Sequence, residues 1–244
     1  MTDPLSTSRA YLALADEHAP GLVEAFYLQG SVALDDYRPG VSDIDFVAVT
    51  AREPAAGELR TVHEALRRSH GETFFDGLYV TAADLRRDPE QCPPGLAVHE
   101  WRVLEGSRFE RNLVTWHVLA QGGVPVRGPR PEVHTDWPAL AERTRQNLAG
   151  YWTGWRVRAA FTPGAWTTSW GVLGMARLRH TLAERRVTSK TEAAAFALDA
   201  YDQRFHRIVR EALRLRVGGE PQYRSPVHRH LDLLKFTAMV LAEP

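Results

Sequence analysis

Residues 27–50, Y-L-Q-G-S-V-A-L-D-D-Y-R-P-G-V-S-D-I-D-F-V-A-V-T, constrain this chain more than any other stretch. An apolar run, Ala25-Phe26-Tyr27-Leu28, stops just before Gly30-Ser31. A turn over Asp35 to Gly40 follows, and then Asp43-Ile44-Asp45 opens a second run, Phe46-Val47-Ala48-Val49. Side chains alternate along a strand, so Asp43 and Asp45 share one face while Ile44 and Phe46 take the other. Two carboxylates side by side repel, and both stay ionised when a cation sits between them. Hard oxygen ligands of this kind suit Mg²⁺, which usually binds through one or two carboxylates and the phosphates of a substrate. Gly30 lets a backbone come close to a phosphate, and Ser31 adds a hydroxyl and an amide as donors. The plain alternative is a solvated Asp-x-Asp turn; Gly-Ser upstream and an apolar strand on each side favour a site.

The 244 residues suit one large domain or two small ones and can bury a sizeable core. Charge is balanced, with 30 Lys and Arg against 30 Asp and Glu, so nothing calls for nucleic acid or a membrane surface as partner. The single Cys92, in the loop-like Q-C-P-P-G, excludes a disulfide framework and suits a reducing compartment. No apolar run approaches the ~20 residues of a membrane span, and the N-terminus lacks a signal-peptide core. The expectation is a soluble cytoplasmic protein.

In chain order, the pattern predicts a helix over Ser6–His18, strands over Val23–Leu28 and from Asp43 through Val49, and a helix over Glu58–Ser69. A strand over Phe74–Thr81, a helical turn over Ala82–Arg87, extended chain over Leu96–Trp101 and a helix over Asn112–Ala120 follow. A short strand within Gly122–Pro129 ends the first half. The order suggests a mixed sheet with helices packed on it. Beyond Pro131 the pattern turns helical throughout, over Leu140–Ala160, Thr168–Glu184, Ser189–Leu198, Phe205–Leu215 and Val227–Ala242, a bundle of about five helices. Domains over 1–131 and 132–244 result. Trp152, Trp155, Trp166 and Trp170 fall at helical spacing and read as core.

Gly-Ser, a spacer, then S-D-I-D and a β run resembles the signature of the nucleotidyltransferase superfamily related to DNA polymerase β, with Gly30, Ser31, Asp43 and Asp45 on its motif positions. The stretch W-G-V-L-G-M-A-R-L-R-H-T-L-A-E-R-R-V-T-S-K-T-E-A-A-A-F-A-L resembles the C-terminal domain of the aminoglycoside (3'')(9) adenylyltransferases, which carry an apolar helix with an Arg, a short turn, and a helix with Lys, two residues, then Ala-Ala. Arg177, Lys190 and Ala193-Ala194-Ala195 match it. H-E-W at His99 to Trp101 resembles that family's substrate-side E-W, and V-P-V-R-G-P its V-A-L-V-G-P. The resemblance implies an α+β enzyme: an N-terminal nucleotidyltransferase domain with a mixed sheet and flanking helices, then a C-terminal helical bundle. ATP and Mg²⁺ would bind in the cleft between the two, with Asp43 and Asp45 as metal ligands, Gly30 and Ser31 at the β- and γ-phosphates, and Arg177 and Lys190 reaching the phosphates from the bundle. AMP would pass to a hydroxyl of a small molecule, aminoglycoside-like compounds first, with no nucleic acid or membrane involved and the chain a monomer. Trp101 and Glu184 would face the acceptor.

The family pattern also carries a Glu on a later strand, in V-E-V-T, and laying the chain on it through L-Y-V-T puts Tyr79 there. A phenol with a pKa near ~10 is a poor base at neutral pH. Asp76 is the nearest carboxylate and the candidate catalytic group; alternation puts it on the opposite face from Tyr79 unless Gly77 marks a bulge. Glu72 and Glu100 are weaker candidates. At the positions where streptomycin-modifying members place a Trp and two acidic residues, this chain has Arg179, Glu184 and Thr188, and Arg179 opposes a cationic drug. Two rivals stand beside this reading: AMP transfer to a protein acceptor, and a nucleotide-binding protein with impaired catalysis, for which Tyr79 is the support. An RNase of the bundle type would need an Arg-x₄₋₆-His pair, which the near-match from Arg204 to Arg210 does not supply.

Overall fold

A computed structural model describes residues 3–243, which divide into two compact units, 3–136 and 137–243. The first unit runs α1 (Pro4–His18), β1 (Val23–Leu28), α2 (Gly30–Ala33), β2 (Ile44–Thr50), α3 (Ala56–His70), β3 (Phe75–Val80), α4 (Ala82–Leu85), β4 (Gly95–His99), β5 (Arg102–Ser107), α5 (Leu113–Gly122) and β6 (Val124–Arg127). The six strands lie in the order β5-β4-β3-β2-β1-β6. Only β2 and β3 are parallel, as α3 between them requires; the other neighbours are antiparallel, so the sheet is mixed. The unit extends past Pro131 because His134 N–H donates to the Leu85 carbonyl at 2.7 Å and Asp136 N–H to His117 Nε2 at 3.2 Å.

Alternation along β2 and β3 sorts the core into two layers. Ile44, Phe46 and Ala48 from β2 and Phe75 and Tyr79 from β3 pack with Tyr11 and Leu12 of α1 and Leu59, Val62 and Leu66 of α3. Phe26, Phe46 and Phe75 stack across adjacent strands at 5.1 and 4.8 Å, with the Tyr11 ring against all three. The other face, Val47, Val49, Leu78 and Val80, packs with Trp116 and Leu119 of α5. α1 starts two residues before the predicted Ser6 because both Asp3 carboxylate oxygens accept N–H groups of its first turn, from Leu5 and Ser6.

The second unit contains α6 (Trp137–Asn147), a π-helical turn over Leu148–Trp152, α7 (Thr153–Ala159), α8 (Ala165–Glu184), α9 (Lys190–Ala200), α10 (His206–Val217) and α11 (Pro226–Ala242). The single helix predicted over 140–160 is thus interrupted by one wide turn, where Thr153 Oγ1 donates to the Leu148 carbonyl five residues back. Glycine explains how α8 receives this segment. A Cβ at Gly171 would lie 2.3 Å from the Trp155 ring, and one at Gly174 would lie 2.4 Å from the Trp152 ring. The two glycines, three residues apart on one helix face, are the slots for two Trp rings spaced the same way. Trp152 and Trp155 are core, as expected. Trp166 is not: it is 68% exposed and stacks on the partly buried Trp170 with ring centroids 5.7 Å apart. Among the described residues no helix is long and apolar enough to cross a membrane.

Candidate active site

Asp45 is the second residue of β2, and Asp43 lies just before the strand. On the parallel strand β3, Asp76 pairs with Asp45, and the register runs unbroken from Ile44–Phe75 to Val49–Val80. Paired residues of neighbouring strands point to the same face, so Asp45 and Asp76 stand side by side. The bulge at Gly77 that the sequence reading invoked is absent. Gly77 is required for another reason: a Cβ there would meet the Phe46 carbonyl oxygen at 2.3 Å. Asp76 needs no bulge, because an unbroken alternation already gives it the Asp45 face.

Tyr79, by the same alternation, points the other way. Its hydroxyl is buried between Tyr11 Oη at 2.8 Å and His63 Nε2 at 2.7 Å, and burial pushes the phenol well above its usual range. Tyr79 is a core residue and no substitute for a catalytic carboxylate. Glu72 and Glu100 are both exposed, in the turns before β3 and after β4.

Gly30 sits directly against Asp45. It has φ +57°, and a Cβ would fall 2.0 Å from Asp45 Oδ2. The glycine therefore makes room for the carboxylate, a use of its missing side chain beside the close approach of a phosphate expected from the sequence. Gln29 N–H donates to the Asp45 carbonyl at 2.9 Å, and the Gln29 side chain accepts the Gly30 N–H at 3.1 Å, which ties the start of α2 to β2. The Ser31 hydroxyl is shielded from solvent and finds no hydrogen-bond partner among the described residues.

Asp76 is the most enclosed of the three acids, at 3% exposure. Its Oδ2 lies 2.8 Å from His99 Nδ1, and its Oδ1 accepts the Glu100 N–H at 2.9 Å. Burial raises the carboxyl above the usual carboxylate range; the hydrogen bonds from His99 and Glu100 oppose this, and the charge of Asp43 adds to it. His99 was visible in H-E-W but carried no role in the sequence reading, because its partner lies 23 residues away on another strand. Among the described residues no group of three or more His, Cys, Asp or Glu side chains is arranged to hold a metal ion unaided.

Trp101 does not join the carboxylates. It has φ +65° and packs against the core layer on the opposite face, with its ring 6.5 Å from that of His63. In the second unit, Arg177 Nε donates to the Thr188 carbonyl at 2.9 Å. Lys190 is the first residue of α9, which Ser189 caps, and its Nζ lies 5.5 Å above the Trp170 ring. Glu184 is exposed at the end of α8, before Arg185 in the left-handed region. Thr188 is buried and donates to Glu192. Arg179 ties down the end of α11: its guanidinium donates to the Glu243 carbonyl at 2.7 Å and lies 3.2 Å from the Glu243 carboxylate.

Comparison with known proteins agrees with this layout. A nucleotidyltransferase domain model matches residues 13–79, and a model for the C-terminal domain of aminoglycoside adenylyltransferase matches residues 155–242. No curated protein matches the sequence. Among solved structures, spectinomycin adenyltransferase AAD(9) from Enterococcus faecialis, determined with ATP and spectinomycin, shares the fold with a TM-score of 0.67. The identity is 10%, over 96% of this chain and 98% of the other. The two domain matches follow one another along the chain, each within its own unit, and the chain is an aminoglycoside adenylyltransferase-like nucleotidyltransferase.

Proposed function

We propose that the chain transfers AMP from ATP to a hydroxyl of a small, aminoglycoside-like antibiotic, acting with Mg²⁺ as a cytoplasmic monomer. The observation that supports this most is the row of acids on one face of the sheet, Asp43 and Asp45 at the start of β2 and Asp76 beside Asp45 on β3. Two carboxylates plus substrate phosphates are the usual ligand set of Mg²⁺, and the Gly30 backbone leaves room only for the Asp45 carboxylate at that point. Bound there, Mg²⁺ would neutralise triphosphate charge and favour in-line displacement.

The residues then divide the work. Asp43 and Asp45 offer the metal-binding oxygens. Ser31 offers its shielded hydroxyl to a phosphate oxygen, beside Gly30. Asp76 accepts the proton of the acceptor hydroxyl as its oxygen bonds to the α-phosphorus and the bond to the β-phosphate oxygen breaks, releasing pyrophosphate. Arg177 and Lys190 take the triphosphate, the role the family resemblance gives them, and Glu184 offers a charge to a cationic acceptor. The objection raised by Arg179 weakens, since its guanidinium is engaged with Glu243.

The test is pyrophosphate release, and a mass gain of one AMP, with ATP, Mg²⁺ and a panel of spectinomycin, streptomycin and deoxystreptamine aminoglycosides. At least one acceptor should gain AMP, and Asp45→Asn should abolish the gain. Failure of every acceptor in the panel would sink the antibiotic reading.

A further inference from the structure

The row on the carboxylate face is one strand longer than the acids alone. β3 and β4 pair antiparallel through Gly77–Val98 and Leu78–Ala97, and one step further along this register brings Asp76 opposite His99. Asp45, Asp76 and His99 therefore follow one another across β2, β3 and β4. As proton acceptor Asp76 must be ionised, and an ionised carboxylate only accepts hydrogen bonds, so in that state the His99 Nδ1 at 2.8 Å is the donor to Oδ2. The ring is held by Phe109, stacked at 4.6 Å with planes 29° apart. The other oxygen, Oδ1, is held by the Glu100 N–H at 2.9 Å.

We propose that His99 is a positioning residue for Asp76: with Glu100 N–H it clamps one donor on each carboxylate oxygen, fixes the carboxylate plane, and aims the remaining lone pairs at the acceptor hydroxyl. This rests on the assignment of Asp76 as proton acceptor made above. Reactions of this kind depend on tenths of an ångström, and a misplacement of about 1 Å can cost about 10²-fold. A carboxylate held at only one oxygen turns about its Cβ–Cγ bond, and the share of molecules aimed correctly falls. His99 is half exposed and contributes little to the core, so its removal tests aim more than folding.

The experiment uses the full chain with ATP, Mg²⁺ and the panel acceptor that turns over fastest. His99→Leu should lower kcat by about 10- to 10²-fold, with KM for ATP within about twofold of wild type and the melting temperature little changed. His99→Asn, whose amide can still donate to Oδ2, should recover most of that loss. In ¹⁵N-histidine-labelled protein, the His99 Nδ1 signal should be that of a protonated nitrogen and should move in Asp76→Ala. Equal damage from Leu and Asn would overturn the inference, since the ring would then act in its own right. Unchanged kcat in His99→Leu would also overturn it. If Asp76→Asn turns over at the wild-type rate, or no acceptor is modified, the underlying assignment falls and this inference with it. An inactive Asp76→Asn beside an unimpaired His99→Leu would remove the inference alone.

Discussion

Tyr79 and Asp76 lie three residues apart, and alternation sends them to opposite faces with opposite fates. The Tyr79 hydroxyl joins Tyr11 and His63 in a closed buried set, and removing it leaves both partners short of a hydrogen bond. Tyr79→Phe should therefore cost about 1–3 kcal/mol of stability, read as a lower urea midpoint, while kcat stays at the wild-type value. A large drop in kcat with stability retained would return Tyr79 to the chemistry. His63 in the same set gives the sheet unit an acid limit. Burial depresses its pKa from 6.5 to about 3. Between these values the unfolded chain binds a proton that the folded one does not, so stability is full above pH 6.5 and falls as the pH drops through that window. Between pH 7 and pH 5 the loss from His63 is about 2 kcal/mol. His117 and His180, also depressed chiefly by burial, add to it with the same sign. The drop in urea midpoint over that range should be smaller in His63→Gln than in wild type, and an equal drop would place the acid sensitivity elsewhere.

At the scale of elements, the hairpin of β4 and β5 is the least expected part of the first unit. His99 pairs with Arg102, so the two-residue turn is Glu100-Trp101, with φ +49° and +65°. Such a turn favours Asn-Gly, and a left-handed residue without that chemistry costs about 1 kcal/mol or more. Glu100→Asn, at an exposed position, should raise the melting temperature, with a gain of up to about 1 kcal/mol; a lower melting temperature would show that the Glu side chain itself holds the turn. This also explains what the sequence could and could not disclose. Asp43-Ile44-Asp45 before a β run, and the two Trp rings at helical spacing, declare their faces through periodicity alone. Glu100-Trp101 carries no turn signature, because Asp76 accepts the Glu100 N–H from another strand, and so β5 was not foreseen. The wide turn at 148–152 leaves the apolar spacing nearly intact, so its segment read as one helix. Gly77 leaves a bulge open in the sequence because a glycine in a strand has two explanations, and only the neighbouring Phe46 carbonyl selects close approach. Trp166 shares the spacing of its buried neighbours, yet it lies just after the break at Thr162-Pro163-Gly164, where helical phase from the previous segment no longer predicts burial.

At the scale of the whole molecule, each unit has a core of its own, so neither fold depends on ligand for its hydrophobic burial. What ligand adds is binding free energy to the folded state, and that quantity separates a metal-phosphate site from an ordinary nucleotide pocket. With Asp43 and Asp45 as ligands, ATP brought to the sheet without a cation would meet negative charge with negative charge. With Mg²⁺ the phosphates complete the metal shell and the same carboxylates become attractive. Stabilisation follows the ratio of free ligand to Kd, about 2.7 kcal/mol at a hundredfold excess over Kd. ATP should therefore raise the melting temperature strongly with Mg²⁺ and little in EDTA, at equal nucleotide concentration. Asp45→Asn should remove most of the Mg²⁺-dependent part. With Lys190 in the phosphate-binding role proposed for it, Lys190→Ala should reduce the rise in both conditions, because that charge would act on the phosphates whether or not metal is present. Equal stabilisation by ATP in Mg²⁺ and in EDTA would rule out Asp43 and Asp45 as ligands of a nucleotide-bound metal, and the proposed division of roles would have to be redrawn from Asp76 outward.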